Sequence, residues 1–101
     1  MLLRDIAHSR TGDKGNISNI SVIAYDMAHW PLLEAEVTRE RLQAHLDWLE
    51  ITRIERYVLP QLGALNFVLY GALSGGVTRS LALDAHGKCL SSAVLEMEVP
   101  R

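Results

Sequence analysis

Hydrophobic and polar positions along this 101-residue chain alternate between strand-like and helix-like periods, with short Gly, Pro and Asn clusters between them. Residues 2 to 9 read as a first strand. Residues 17 to 25 read as a second, with Ile20, Val22 and Ala24 on one face and Asn19, Ser21 and Ile23 on the other. The polar stretch "HSRTGDKGNISN", residues 8 to 19, supplies the turn between them.

Around Trp30 and Pro31 a short helical turn is expected, because proline suits the first helical position. Thr38 then stands as the N-cap of a longer helix, in which Leu42, Leu46 and Leu49 form one apolar stripe and Glu40, Arg41 and Asp47 are left to solvent. "ITRIERYVL" is rich in β-branched residues and stops at Pro60, so it reads as a third strand. "QLGALNFVLYGAL" fits both periods: Leu62, Leu65, Leu69 and Leu73 share a helical face, while its Phe, Val and Tyr suit a strand. Length and the Gly75-Gly76 stop favour a helix. Finally "RSLALD", a turn at "AHGK" and "SAVLEMEV" read as a hairpin, with Leu95, Met97 and Val99 inward and Glu96 and Glu98 outward. Helices among mostly antiparallel strands predict an α+β sandwich.

Length fits a single domain over residues 1 to 101, and 49% apolar with 22% charged residues is the composition of a chain that folds. A net charge of −2 and a pI near 6.0 provide no basic field for nucleic acid. The sequence shows no signal-peptide pattern and no apolar run of about 18 residues, which argues against a membrane role. With a lone Cys89 and so no internal disulfide, the expected location is the cytoplasm. Cys89 lacks the neighbours that would make it a nucleophile and reads as inert.

Three segments carry candidate chemistry. In "TGDKGN", Gly12 and Gly15 allow positive φ, so that successive N–H groups can converge on an anion, and Lys14 adds charge. The glycine spacing is not that of a nucleotide P-loop, and the match to the GXXG loop of KH domains is equally weak. The architectural alternative is a hairpin loop whose Asp and Asn side chains satisfy turn amides. In "SGGVTRS", Gly75, Gly76 and Arg79 offer backbone donors and a guanidinium suited to carboxylate or phosphate, or else a helix C-cap. If the strands ending at Arg10 and beginning at Arg79 are antiparallel, the two glycine turns share one end of the sheet, and Asp84 and Lys88 lie at the other.

His8 and Arg10 share a strand face by the two-residue period. His8 can serve as a general acid/base with Asp13 as its partner, or be a satisfied core histidine. Asn66, on the apolar side of its expected helix, either orients a substrate or ties helix to sheet. No His, Cys or Asp spacing suggests a metal site, and the residues indicate no particular cofactor.

The ordered set "SRTGDKGNISNISVIA", "IERYVLP", "ALNFVLYGAL", "GGVTRSLALDAHGK" and "LEMEV" resembles the AtuA-like small domain of the acyclic terpene utilisation family over nearly the whole chain. The usual run in that family is closer to "RSGDKGNxANIGVIAR". Here Thr11 replaces a serine, Ser18 an alanine and Ser21 a glycine, and Tyr25-Asp26 replaces the small-or-basic ending, while Gly12, Asp13, Lys14, Gly15, Asn16 and Asn19 are kept.

The resemblance implies a ferredoxin-like two-layer sandwich, mostly antiparallel sheet with helices on one face. In that family the domain is either the C-terminal part of a longer AtuA-type chain or a separate small protein, and this sequence resembles the separate form. The expectation is an accessory small subunit that works with a large AtuA-like protein in the catabolism of acyclic terpenoid or branched acyl-CoA compounds and holds an acyl-CoA or carboxylate ligand. An oligomer is expected. A stand-alone lyase or hydratase on a CoA thioester, and a non-catalytic module that oligomerises through its sheet, are the alternatives.

Overall fold

The computed structural model describes residues 1–14, 17–47, 49–71 and 89–100, giving the backbone alone for Asp13, Lys14 and Cys89. Among these residues four strands form one antiparallel sheet: β1 (Ala7–Lys14), β2 (Ile17–Ala24), β3 (Arg53–Leu59) and β4 (Ala64–Tyr70), in the order β1-β2-β4-β3. Helices α1 (Trp30–Glu36), α2 (Arg39–His45) and α3 (Cys89–Leu95) send Trp30, Leu33, Leu42, Leu90 and Val94 into one core. That core also takes Ile20, Val22, Ile54, Leu65, Phe67 and Leu69 from one face of the sheet, so the helices lie on a single side. The α+β, ferredoxin-like expectation holds.

The helices begin where local chemistry starts them. Pro31 occupies the first turn of α1, and the Thr38 hydroxyl accepts a hydrogen bond from the Arg41 backbone N–H at 3.2 Å, satisfying a donor left open at the start of α2. Leu42 and Leu46 are fully buried and Leu49 nearly so, as the stripe predicts.

Three sequence expectations shift. The first strand begins at Ala7, because Leu3–Asp5 forms a 3-10 turn in which Asp5 accepts the Leu2 N–H at 3.1 Å and Leu3 is buried. At its other end β1 runs through Thr11, Gly12, Asp13 and Lys14. Lys14 pairs with Ile17, so only residues 15 and 16 connect the strands.

The expected helix from Gln61 onward is instead the turn Pro60–Leu62 followed by β4. Gly63 closes that turn at φ 59°, a left-handed conformation that disfavours a side chain. β4 is central in the sheet and bonds both β2 and β3, which requires an extended backbone whatever the leucine spacing suggests. Gly71, at φ 81°, marks its end, and a Cβ there would meet Thr52 Oγ1 at 2.9 Å.

The last expected strand is also different. Cys89–Leu95 is helical, with Leu90 and Val94 on its buried face. Only the tail beyond it is extended: Leu3 N–H bonds Met97 C=O and Val99 N–H bonds Met1 C=O, both at 2.8 Å, and Met97 and Val99 are buried as expected. The "RSLALD" strand and the "AHGK" turn, with Asp84 and Lys88, lie outside the described residues.

Candidate functional site

Strand alternation divides the chemistry-bearing residues between the two faces. Directly paired residues of antiparallel strands share a face, so the register places His8 with Ile23, Ala64 and Leu59 in one row on the side away from the helices. Arg10 with Ser21, Asn66 and Tyr57 forms the next row, and Gly12 with Asn19, Val68 and Glu55 the third. Five residues named from the sequence, His8, Arg10, Gly12, Asn19 and Asn66, therefore share one open face. Asn66 does not tie a helix to the sheet. It is half-buried between Ser21 and Tyr57 on the opposite side.

Each of these positions has a defined setting. The His8 ring stacks on Tyr25, centroids 5.1 Å apart and planes at 28°. Arg10 is exposed and has no hydrogen-bond or ion-pair partner among the described residues. Gly12 is in paired strand without positive φ, so it does not form the expected anion nest, and its absent side chain leaves open space with no atom within 4 Å of a Cβ. His8 and Asp13 are five residues apart on one extended strand, about 17 Å at the usual rise. A direct acid/base pair between them does not form. Gly15, Asn16, Gly75, Gly76 and Arg79 lie outside the described residues.

The most interconnected polar group on this face was missed from the sequence. Glu55 accepts hydrogen bonds from the Tyr57 hydroxyl at 2.9 Å and the Tyr70 hydroxyl at 3.1 Å, and pairs with Arg53. Arg53 also lies over the Tyr70 ring, 5.0 Å from its centroid. The Tyr57 hydrogen bond does most to hold the Glu55 carboxyl below its ordinary pKa. Desolvation opposes it, and Tyr70 and Arg53 add to the lowering. Hydrogen bonding to that carboxylate pushes both tyrosines above their ordinary values. The result is a fixed anionic acceptor held by two neutral hydroxyls and the Arg53 guanidinium, a poor general base at neutral pH. The signal was present as Arg53, Glu55 and Tyr57 at two-residue spacing, but their common face with Tyr70 needed the strand register.

A different polar set lies on the helix side of β1 and β2. Ser9, Thr11 and Ser18 each bury a hydroxyl oxygen without a hydrogen-bond partner among the described residues, and Ser18 is completely buried. Among the described residues no three His, Cys, Asp or Glu side chains are grouped to hold a metal. A surface recess of about 400 Å³ between α2 and the C-terminal tail is lined by Arg41, His45, Glu96 and Met97, and contains none of the residues named from the sequence. No helix among the described residues is long and apolar enough to cross a membrane.

The family model of the AtuA ferredoxin-like domain matches residues 1–100. No curated protein and no solved structure gives a match.

Proposed function

Because the chain belongs to the AtuA ferredoxin-like domain family, we propose that it acts as the small accessory component of an AtuA-type system, in complex with a larger AtuA-like protein. The system degrades acyclic terpenoid or branched acyl-CoA compounds in the cytoplasm. Within it this chain holds an anionic group of the ligand, a carboxylate or a CoA phosphate, at the hairpin end of β1 and β2.

One observation carries the reading. The family-like run lies on the β1–β2 hairpin, where Asn19 is exposed beside Gly12 and the missing side chain leaves the backbone open to a ligand. The donors assigned to that group are Lys14, Gly15 and Asn16, together with Gly75, Gly76 and Arg79, which by the sequence share this end of the sheet. An accessory role is favoured over a stand-alone lyase because His8 has no carboxylate partner in Asp13, and the Glu55 cluster is locked by its own hydrogen bonds.

Co-expression with the larger AtuA-like protein tests the proposal. The two should co-purify, and Lys14→Ala or Asn19→Ala should lower turnover of the complex at least about tenfold while the chain stays folded. A chain that never binds the larger protein, or a complex indifferent to both substitutions, would overturn it.

A further inference from the structure

Every large hydrophobic side chain that is exposed among the described residues, namely Ile17, Tyr25, Met27, Tyr57, Leu59 and Leu62, belongs to the open sheet face or to the turns bordering it. The helix side presents Glu34, Arg39, Glu40 and Asp47 instead. Such segregation marks an interaction surface. We propose that the open face packs on the same face of a second copy, in a two-fold dimer whose axis runs along the strands.

The distribution of side chains selects that axis. Ile23, Leu59, Leu62 and Met27 gather at one end of the face, and Asn19, Glu55 and Arg53 stand at the other, beside the half-exposed Ile17. An axis across the strands would press the apolar end onto the polar one. An axis along them lays each row over its own copy, with β1 above the partner copy's β3 and β2 above its β4, as a self-complementary interface requires.

Charge agrees with this arrangement. Arg10 of one copy then stands above Tyr57 and beside Glu55 of the other. Arg10 has no partner among the described residues of its own chain, while the Glu55 carboxylate, with about four acceptor positions, already takes Tyr57, Tyr70 and Arg53 and keeps one for a fourth donor. Across the middle, Ser21 meets Asn66, small polar groups that let two sheets approach to about 10 Å.

Four strands about 4.8 Å apart, paired over seven residues of β3 and β4, make a plane of roughly 19 by 23 Å. Interdigitated side chains, with Tyr25, Met27 and Leu62 at the rim, enlarge this toward the roughly 800 Å² per partner of a standard interface. At the hairpin corner the same operation sets position 14 above Arg53. It likewise sets Gly12 above the partner copy's Glu55 and Asn19 above its Val68, so the dimer and a ligand at Gly12 and Asn19 occupy this face in turn, not together. The inference does not depend on the larger AtuA-like partner.

Sedimentation equilibrium of the full chain should give twice its 11.3 kDa mass in the micromolar range. Leu59→Asp should raise the dissociation constant about a hundredfold. Arg10→Glu and Glu55→Arg should each raise it about tenfold, and the double reversal should recover most of that loss. Gln43→Asp on α2 should change nothing, and circular dichroism melts show that each variant folds. Without any substitution, isotope-filtered NMR should show contacts between the Tyr57 ring of one copy and the Arg10 side chain of another. A monomer at all concentrations, a dimer indifferent to Leu59→Asp, or a double reversal without recovery would overturn the dimer. Capture of the larger protein, read separately, would leave the accessory role standing in each case.

Discussion

The two faces of this sheet come from alternate residues of the same four strands, yet they obey different rules. The helix-covered face takes Ile20, Val22, Leu65, Phe67 and Leu69, all at zero exposure. The open face takes Arg10, Asn19, Ser21, Asn66 and Glu55, with leucines and tyrosines toward its edges. Burial leaves the first face mostly one chemistry, apart from the hydroxyls of Ser9, Thr11 and Ser18 and the half-buried Arg56, whose guanidinium donates to the Val37 and Glu34 carbonyls. Freedom from core packing lets the second face hold a charge lattice and an interaction surface.

Substitutions on opposite faces of two neighbouring strands break this comparison most directly. Phe67→Ala should cost about 3–5 kcal/mol, through lost burial and the cavity left behind, whereas Tyr57→Phe on the open face should cost less than about 1 kcal/mol. Urea denaturation of the two variants measures the contrast. Equal losses would mean that the open face is also core.

Two glycines sharpen it next. Gly63→Ala places a side chain at φ 59° and 2.6 Å from Met27 Sδ. The sulfur belongs to an exposed side chain that can move, so the backbone sets the cost, about 1–2 kcal/mol. Gly12→Ala, with extended backbone and open space, should be neutral or stabilise by up to about 1 kcal/mol, read as a shift in thermal midpoint. In the AtuA-type complex the same substitution fills the space proposed for the ligand, so unchanged stability should come with reduced turnover.

Ser18→Ala removes a buried hydroxyl that has no partner among the described residues and should stabilise the chain by about 1 kcal/mol. A loss of stability would show that the hydroxyl has a bonding role. Smallest is the pH dependence of the open-face cluster. Glu55 is shifted downward, so its contribution is present above the ordinary glutamate range and is lost as pH falls through its lowered value. Tyr57 and Tyr70 are shifted upward, so theirs is present below the ordinary tyrosine range and is lost as pH rises through their raised values. NMR titration of the Glu55 carboxyl should show the downward shift, and Tyr57→Phe should diminish it.

Much of this architecture could be read along the chain. Proline and threonine start helices through interactions within one turn, and the Leu42, Leu46, Leu49 stripe and the alternation from Ile17 to Ala24 each record one partner surface. Family membership was equally legible, because its motifs are contiguous runs.

Tertiary structure decided the rest. Leu65 and Leu69 are four apart, a spacing that serves a helix face and a strand face alike, and only pairing on both sides made β4 a strand. Leu95, Met97 and Val99 alternate as a strand would, yet Leu90 and Val94 had a core to meet, so the segment coils before it extends. Glu55, Tyr57 and Tyr70 became one cluster through the β3–β4 register, and His8 and Asp13 were separated by β1 remaining extended through Lys14. The amino-acid sequence by itself determined the elements whose causes are local and the family to which the chain belongs. The choice of β4 and the composition of the open face required long-range pairing, because hydrogen bonds between distant strands have no trace in the spacing of either one.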